Sequence, residues 1–446
     1  MKILKMRHFF LLFFCFVCGT MAYSQDDDKE NTTDDEVVTD PNESFKIIKV
    51  RKHYKLGDGL TFMTSDGSTM NITQSVQPLA LVNTSDDFET INSQFRIRRA
   101  RLKISGDLYD EKIYYRIRLN FASDFQSTTT GTRSFNPVMQ DAYIEYRPAK
   151  GHRINFGLRA DYIDSRETRI EGEVLGFIER SEVSAAFDAI FDYGLRYQGQ
   201  FRIFKGQLFK PYISITTGDG NSSLSKNYGG FKYGARLDYL PFGAFKKLGE
   251  FYMEDLVRER KPKLVIGAVY SYNVGATSAK GTNGGRWLYG DINQDITLPD
   301  YSKYGVDYMF KYRGFYSFGS FFVTNAIVPT DIAGEFTLAG VFTPYTGLTQ
   351  TEIKNKVLSR LNLGSGFNVQ AGYLLPSNWA FGLRYTKLEQ DLNSNPFATN
   401  DENYSFITTK YLSGHDLKIQ TEIGKYNIQG SVSDYLYGQI MVTIQL

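Results

Sequence analysis

Cysteine is nearly missing from this chain, and its placement matters more than its number. Both residues, Cys15 and Cys18, fall within the first 24 positions. Those positions have a basic start (Lys2, Lys5, Arg7), an apolar core from Phe9 to Cys18 and a small-residue close at Ala22-Tyr23-Ser24. This is the layout of a secretory signal, too short to span a membrane. Bulky Phe16 and Val17 argue against Cys18 as a lipid acceptor. A mature chain without thiols has no disulfide, no thiolate metal site and no cysteine nucleophile. Histidine is also scarce: beyond the leader only His53, His152 and His415 occur, far apart, with no His-Glu-x-x-His or Gly-x-Ser-x-Gly pattern. Neither an enzyme nor a cofactor is expected. A mean hydropathy of -0.33 excludes a bundle of membrane helices, since each span needs about 20 apolar residues. A net charge of +2 gives no sign of a nucleic-acid partner.

Aromatics, by contrast, are abundant: 31 Tyr and 34 Phe, beside 40 Gly. The near-neutral total also conceals a division. Gln25–Glu43 carries nine acidic residues against Lys29 alone and reads as a disordered tail. Removing leader and tail leaves 47 basic and 40 acidic residues. The expected organisation is a signal peptide at 1–24, the acidic tail at 25–43, an N-terminal periplasmic segment at 44–67 and a barrel at 68–446.

The barrel is read from period-two alternation. In Ile113–Phe121, Ile113, Tyr115, Ile117, Leu119 and Phe121 face one way, and Tyr114, Arg116, Arg118 and Asn120 the other. Sixteen such segments follow one another from 70–83 to 435–446, each of a length suited to a tilted transmembrane strand. Connections after even-numbered segments are mostly tight, as at Arg313–Gly314. Those after odd-numbered segments are mostly long, as at 161–190, 273–302 and 325–364. Long loops on one side and short turns on the other mark a sixteen-stranded antiparallel transmembrane β-barrel with extracellular loops and periplasmic turns. A β-sandwich would not segregate its loops in this way. The exception is 242–262, long where a tight turn is expected.

If the apolar face meets lipid, the other lines a lumen. Its basic residues by this phasing are Arg99, Arg101, Lys103, Arg116, Arg118, Arg153, Arg159, Arg196, Arg202 and Arg236, with Lys232, Lys311, Arg384 and Lys418. The acids are Asp124, Asp141, Glu145, Asp238, Asp307 and Glu422, so fourteen positive charges face six negative ones. Arginine's planar fork suits oxyanions, and the first ten residues form the expected anion pathway. Some of this charge also serves simply to solvate the wall.

Gly59-Leu-Thr-Phe-Met-Thr-Ser-Asp-Gly67 and Gln94-Phe-Arg-Ile-Arg-Arg-Ala-Arg-Leu-Lys-Ile-Ser-Gly106 resemble the opening of the phosphate-selective porins of the O and P type. Asp141-Ala-Tyr-Ile-Glu-Tyr-Arg147 and Phe177-Ile-Glu-Arg-Ser181 are similar to two further motifs of that family. The resemblance implies a homotrimeric channel in the outer membrane of a Gram-negative bacterium, contacting membrane lipid and passing small anions such as phosphate or polyphosphate. It also implies a loop folded into the pore, here about 161–190, whose Ile170, Val174, Phe177 and Ile178 have the spacing of a short amphipathic helix. One departure is Gly157-Leu-Arg-Ala-Asp-Tyr162, where the family carries a Gly-Gln-x-Lys-x-Pro-like stretch. It weakens the expectation of phosphate while leaving the porin intact. The alternatives are a general porin without selectivity and a plugged barrel serving structure or surface binding. Asp291-Ile-Asn-Gln-Asp295 begins like a calcium loop but lacks its sixth-position Gly and twelfth-position Glu, so a surface loop and no metal are expected.

Overall fold

The computed structural model describes residues 55–446 apart from 123–125, 128–132, 135–137, 161–162, 205, 219, 221–226, 282–286, 338, 392–399 and 430–433. The expected leader at 1–24, the acidic tail at 25–43, residues 44–54 of the periplasmic segment, and Asp124 and Asp161 lie outside the described residues.

Alternation is realised as sixteen strands, numbered here β1 to β16. They are Thr69–Ser85, Ile91–Leu108, Ile113–Asn120, Met139–Ala149, His152–Ala160, Phe191–Gln198, Gln207–Thr216 and Lys232–Leu240, then Lys263–Asn273, Asp300–Tyr312, Phe315–Ile327, Gly364–Leu374, Trp379–Gln390, Asn400–Ser413, Leu417–Gln429 and Tyr435–Gln445. Each pairs antiparallel with its neighbour in sequence, and β1 pairs with β16 from Ser75↔Gln445 to Ser85↔Tyr435. The sheet is therefore a closed barrel whose strands leave no unpaired edge to the bilayer. A short hairpin, Leu60–Met63 against Thr69–Ile72, extends β1 at the periplasmic end, and Phe201–Ile203 continues the β6–β7 hairpin at the same end.

Outward positions are apolar and exposed, including Ile117, Phe156, Leu195, Val306, Phe321 and Leu383. Aromatic pairs sit toward both ends of this face. Phe209 and Tyr239 stack across strands at 4.6 Å near the turns, and Tyr385 faces Tyr404 at 4.9 Å near the loops. They belong where amphipathic rings meet headgroups.

On the extracellular side, loops 273–302 and 325–364 build a small cap. Three short strands (Leu288–Gly290, Gly334–Phe336, Phe342–Pro344) and a helix, Gln350–Leu358, bury Tyr289, Leu298, Ile332, Ile353 and Val357 together. The helix begins with a capping box formed by Thr349 and Glu352. Loop 325–364 is thus a cap rather than the plug of the alternative reading.

The orientation of the wall gives a direct check. Val306 lies mid-strand, faces lipid and is 51% exposed. Val306→Arg should lower barrel stability by about 2–4 kcal/mol, measured by denaturant unfolding in lipid vesicles, whereas Val306→Leu should leave it unchanged.

Candidate functional site

Two segments fold into the barrel and decide what space remains. The first is 163–190, entered from the extracellular side. Its apolar residues do reach the interior: Ile170, Phe177 and Ile178 are fully buried and Val174 nearly so. They are not on one helix, however. The segment breaks into a single turn at Arg166–Arg169, a 3-10 turn at Gly172–Val174 and a helix at Glu182–Phe187. The expected amphipathic helix does not form because the segment is enclosed on all sides. Charged groups on the wall bind it between the apolar contacts, and Gly172 lies where a Cβ would meet the Arg99 guanidinium at 2.5 Å.

The second is 242–262, which accounts for the unexpectedly long turn. It rises from the periplasmic end and packs Phe245 and Met253 against Ile170, Val174 and Leu175 of the first segment. Inward-facing Leu208, Leu240, Val265, Met309 and Phe318 of β7–β11 complete that cluster. Lys311 donates to the carbonyls of Gly249, Tyr252 and Glu254 at 2.8–2.9 Å. Lys210 pairs with Glu250 at 2.5 Å, and Asp255 accepts from the Gly314 and Glu259 N–H groups.

Charge pairing ties the first segment to the wall. Arg166 reaches Asp238 (2.8 Å) and Asp307 (3.1 Å), Arg169 reaches Asp238 (2.8 Å), and Arg236 bridges the same two aspartates. Lys303 holds Asp164 and, at 3.3 Å, Asp188. On the opposite wall, Arg98 and Arg99 meet Glu179, Arg101 meets Glu173 at 2.9 Å, and Arg116 and Arg118 share Asp141 and Glu171. Burial opposes ionisation of Glu173 and Glu179. Arg101 for the first, and Arg99 with Arg98 for the second, outweigh that and hold both carboxyls down to about 2.

What remains open is a cavity of about 650 Å³ running beside β2–β5 toward the periplasmic rim. Nine of its lining residues are basic: Arg98, Arg99, Arg101, Lys103, Arg116, Arg118, Arg159, Arg169 and Arg180. Three are acidic: Asp141, Glu171 and Asp416. Arg159 lies over the Tyr143 ring at 4.3 Å and Arg118 over Phe191 at 5.7 Å, which fixes the guanidinium planes.

Residues 71–264 match the family described as phosphate-selective porin O and P. The chain is an outer-membrane porin. Its fold is shared with an anion-selective porin from Comamonas acidovorans, at a TM-score of 0.50 and 8% identity over 85% of this chain and 100% of that one. Pseudomonas putida OprB (TM-score 0.48, 10% identity, 84% and 94% covered) is also similar, as is the outer membrane channel DcaP of Acinetobacter baumannii (0.46, 12%, 86% and 99%). No curated protein matches in sequence. Family and fold place the porin in the outer membrane of a Gram-negative bacterium.

Of the ten residues expected along the pathway, the porin brings Arg99, Arg101, Lys103, Arg116, Arg118 and Arg159 to the cavity. Arg153 stands near the rim, its side chain 43% exposed and 3.7 Å from Glu145. Arg196 is buried and donates to the backbone carbonyls of Asp192, Gly157 and Gly194. Arg236 is buried in the Asp238–Asp307 network, and Arg202 is exposed at the periplasmic turn. Alternation missed Arg98. The β1–β2 register shifts opposite Gln77/Pro78, so Gln77 pairs with Arg99 while Pro78 pairs with Ile97. The extra residue is Arg98, which the bulge turns into the lumen beside Arg99. Pro78, which lacks a ladder N–H, was the available signal. Arg169 and Arg180 were missed because they come from the inserted segment.

Fourteen inward bases against six acids is therefore not the charge of the finished lumen. The inserted segments add the acids Asp164, Glu167, Glu171, Glu173, Glu179, Asp188, Glu250, Glu254, Asp255 and Glu259 and the bases Arg166, Arg169 and Arg180, none of which strand phasing counts.

Asp307 is fully buried between Arg166 and Arg236. Asp307→Asn leaves two buried guanidinium groups short of a counter-charge and should destabilise the porin by roughly 3–5 kcal/mol. The check is denaturant unfolding of the purified barrel with Asp307→Glu as control.

Proposed function

We propose that the porin is a passive diffusion channel preferring small anions, phosphate among them, and that they pass along the basic cavity beside β2–β5. The observation that carries this reading is the cavity lining, with nine basic residues against three acidic ones. Arginine supplies donors only, in a fork that meets two oxyanion oxygens at once. Adjacent strands lie about 4.8 Å apart across the sheet, so arginines on neighbouring strands put successive donors within reach of one anion as it moves along the wall. The carboxylates lining the cavity keep each stop shallow, because an arriving oxyanion shares its arginine with Asp141 of the wall or Glu171 of the inserted segment instead of filling an empty site. The family's phosphate and the homotrimer belong to the same reading, with the exposed apolar wall as the surface available for assembly.

The inserted segments favour a second reading, a plugged barrel, and conductance separates the two. In planar bilayers with a KCl gradient, the reversal potential should show anion preference. Zero conductance would favour the plug, and cation preference would overturn the anion pathway. Arg116→Ala with Arg118→Ala should lower anion preference several-fold. Glu171→Gln should raise it, because the Glu171 side chain is 40% exposed and opposes both arginines. Replacing 246–256 by a short turn should increase single-channel conductance, since that segment occupies the periplasmic half of the lumen.

A further inference from the structure

The basic cavity reaches the periplasmic rim beside the point where the chain joins the barrel. Gly57 lines that end of it, with Asp416 and Gln445. The Gly57 N–H donates to the Gln445 carbonyl at 3.1 Å, and the Asp58 carbonyl accepts from Asn71 Nδ2 at 3.0 Å, so the attachment is held to both β16 and β1. Gly57 has a φ of +82°, and a Cβ there would meet the Asp416 carboxylate at 2.3 Å. Only glycine lets the backbone pass this close to the cavity.

Upstream of this point the sequence carries charge of the opposite sign. Gln25–Glu43 holds nine acidic residues against Lys29 alone. Glu43 precedes Gly57 by 14 residues, and at about 3.3–3.6 Å per extended residue that length spans up to about 50 Å. The lining stretch of β2, from Arg98 to Lys103, covers only about 17 Å. The acidic run therefore has chain enough to traverse the basic wall from the periplasmic end.

Two features of the wall fit carboxylates. The arginine fork takes two oxygens at once, and Glu171 already engages Arg116 in this chemistry. Lys103, opposite Arg118 across β2–β3, has no hydrogen-bond or ion-pair partner among the described residues. The described barrel leaves that lumen cation to a counter-ion from elsewhere. Ser44–Leu56 carries five basic residues of its own, which compete for the same acids. Pairing inside a cavity that excludes bulk water is the stronger of the two, since Coulomb attraction grows as the dielectric falls.

We propose that the acidic segment 25–43 docks into the periplasmic end of the basic cavity, pairs with Lys103 and the neighbouring arginines, and acts as a tethered anion that permeating anions must displace. The inference rests on the reading of the cavity as an anion pathway and adds its regulation. A short tether supplies such a ligand at an effective concentration in the millimolar range. The block has a polarity. A negative segment entering from the periplasmic side is drawn in when the extracellular side is positive and driven out when it is negative.

The test is single-channel recording of the full mature chain in planar bilayers, in KCl at about 0.1 M, where screening is weak. Wild type should pass less current at one polarity than at the other, and raising the salt to about 1 M should remove the difference. Deleting 25–43, which takes away none of the described residues, should abolish the asymmetry. Replacing its nine acids by Asn and Gln at unchanged length should do the same. A synthetic peptide of 25–43 should restore the block to the deletion channel from one side only, at about millimolar concentration. Lys103→Gln should raise the peptide concentration needed several-fold, and an unchanged requirement would overturn the seat at Lys103. Wild-type currents that are symmetric and equal to those of the deletion channel would overturn the proposal, and pairing of the acids with 44–56 instead of the cavity predicts that result. Asymmetry that survives the deletion or the neutral replacement would overturn it as well. Failure of the anion pathway itself reads differently: the deletion channel, freed of the segment, would prefer cations or fail to conduct.

Discussion

Closing a barrel around arginines takes their charges out of bulk water, and each must then find a carboxylate, a carbonyl or a hydrated cavity. Where the inserted segments displace water, desolvation of an unpaired guanidinium is costly and each must find an acid on the segment or the wall. The segment 163–190 resolves this by bringing acids to both sides of the lumen. Facing β8 and β10 it interleaves Arg166 and Arg169 with Asp238, Asp307 and Arg236, and that zone is buried, with each aspartate held by at least two arginines. Facing β2 and β3 it offers Glu171, Glu173 and Glu179 to a longer row of arginines, and there the space stays open. The position of the cavity thus follows from where the wall has more bases than the inserted segment has acids.

The strands were legible because a half-lipid, half-lumen wall imposes a period of two on every segment. Ile113–Phe121 and Leu436–Leu446 could be phased residue by residue, and the sixteen expected segments agree with β1 to β16 to within a few residues. The site was legible only in part, for physical reasons that differ from residue to residue. Arg98 was lost because one bulge residue reverses the phase on either side of it, a change that alternation registers only as noise. Arg196 was placed on the inward face, but no pattern in sequence says that backbone carbonyls of its own hairpin will take its donors. Glu171, Glu173 and Glu179 sit in a loop, where phasing has nothing to say; that this loop folds into the pore was implied only by the family resemblance.

The turn 242–262 shows the same limit from the apolar side. Leu208, Leu240, Val265, Met309 and Phe318 occupy inward positions near the periplasmic ends of β7–β11, where a water-filled lumen would call for polar side chains. In an empty barrel that row would be an exposed apolar patch inside the channel. It is instead the seat for Phe245 and Met253, and through them for Ile170, Val174 and Leu175. An apolar patch on the lumen face, paired with an over-long turn at the same end, was a readable indication that the turn enters the barrel.

These two halves of the wall together give the lumen its asymmetry. The β7–β11 half holds the inserted segments by apolar burial together with fully buried ion pairs, which salt screens little. The basic half of β2–β5 holds them by ion pairs that also face the cavity, and pairs of this kind are weakened by ionic strength and by competing anions. A solute anion therefore competes for Arg116 and Arg118 with Glu171, a carboxylate of the inserted segment whose side chain is 40% exposed. On the anion-pathway reading, passage does not require the segment to leave. It requires only that one glutamate exchange its arginine with the solute, while the apolar seat keeps the rest of the segment in place.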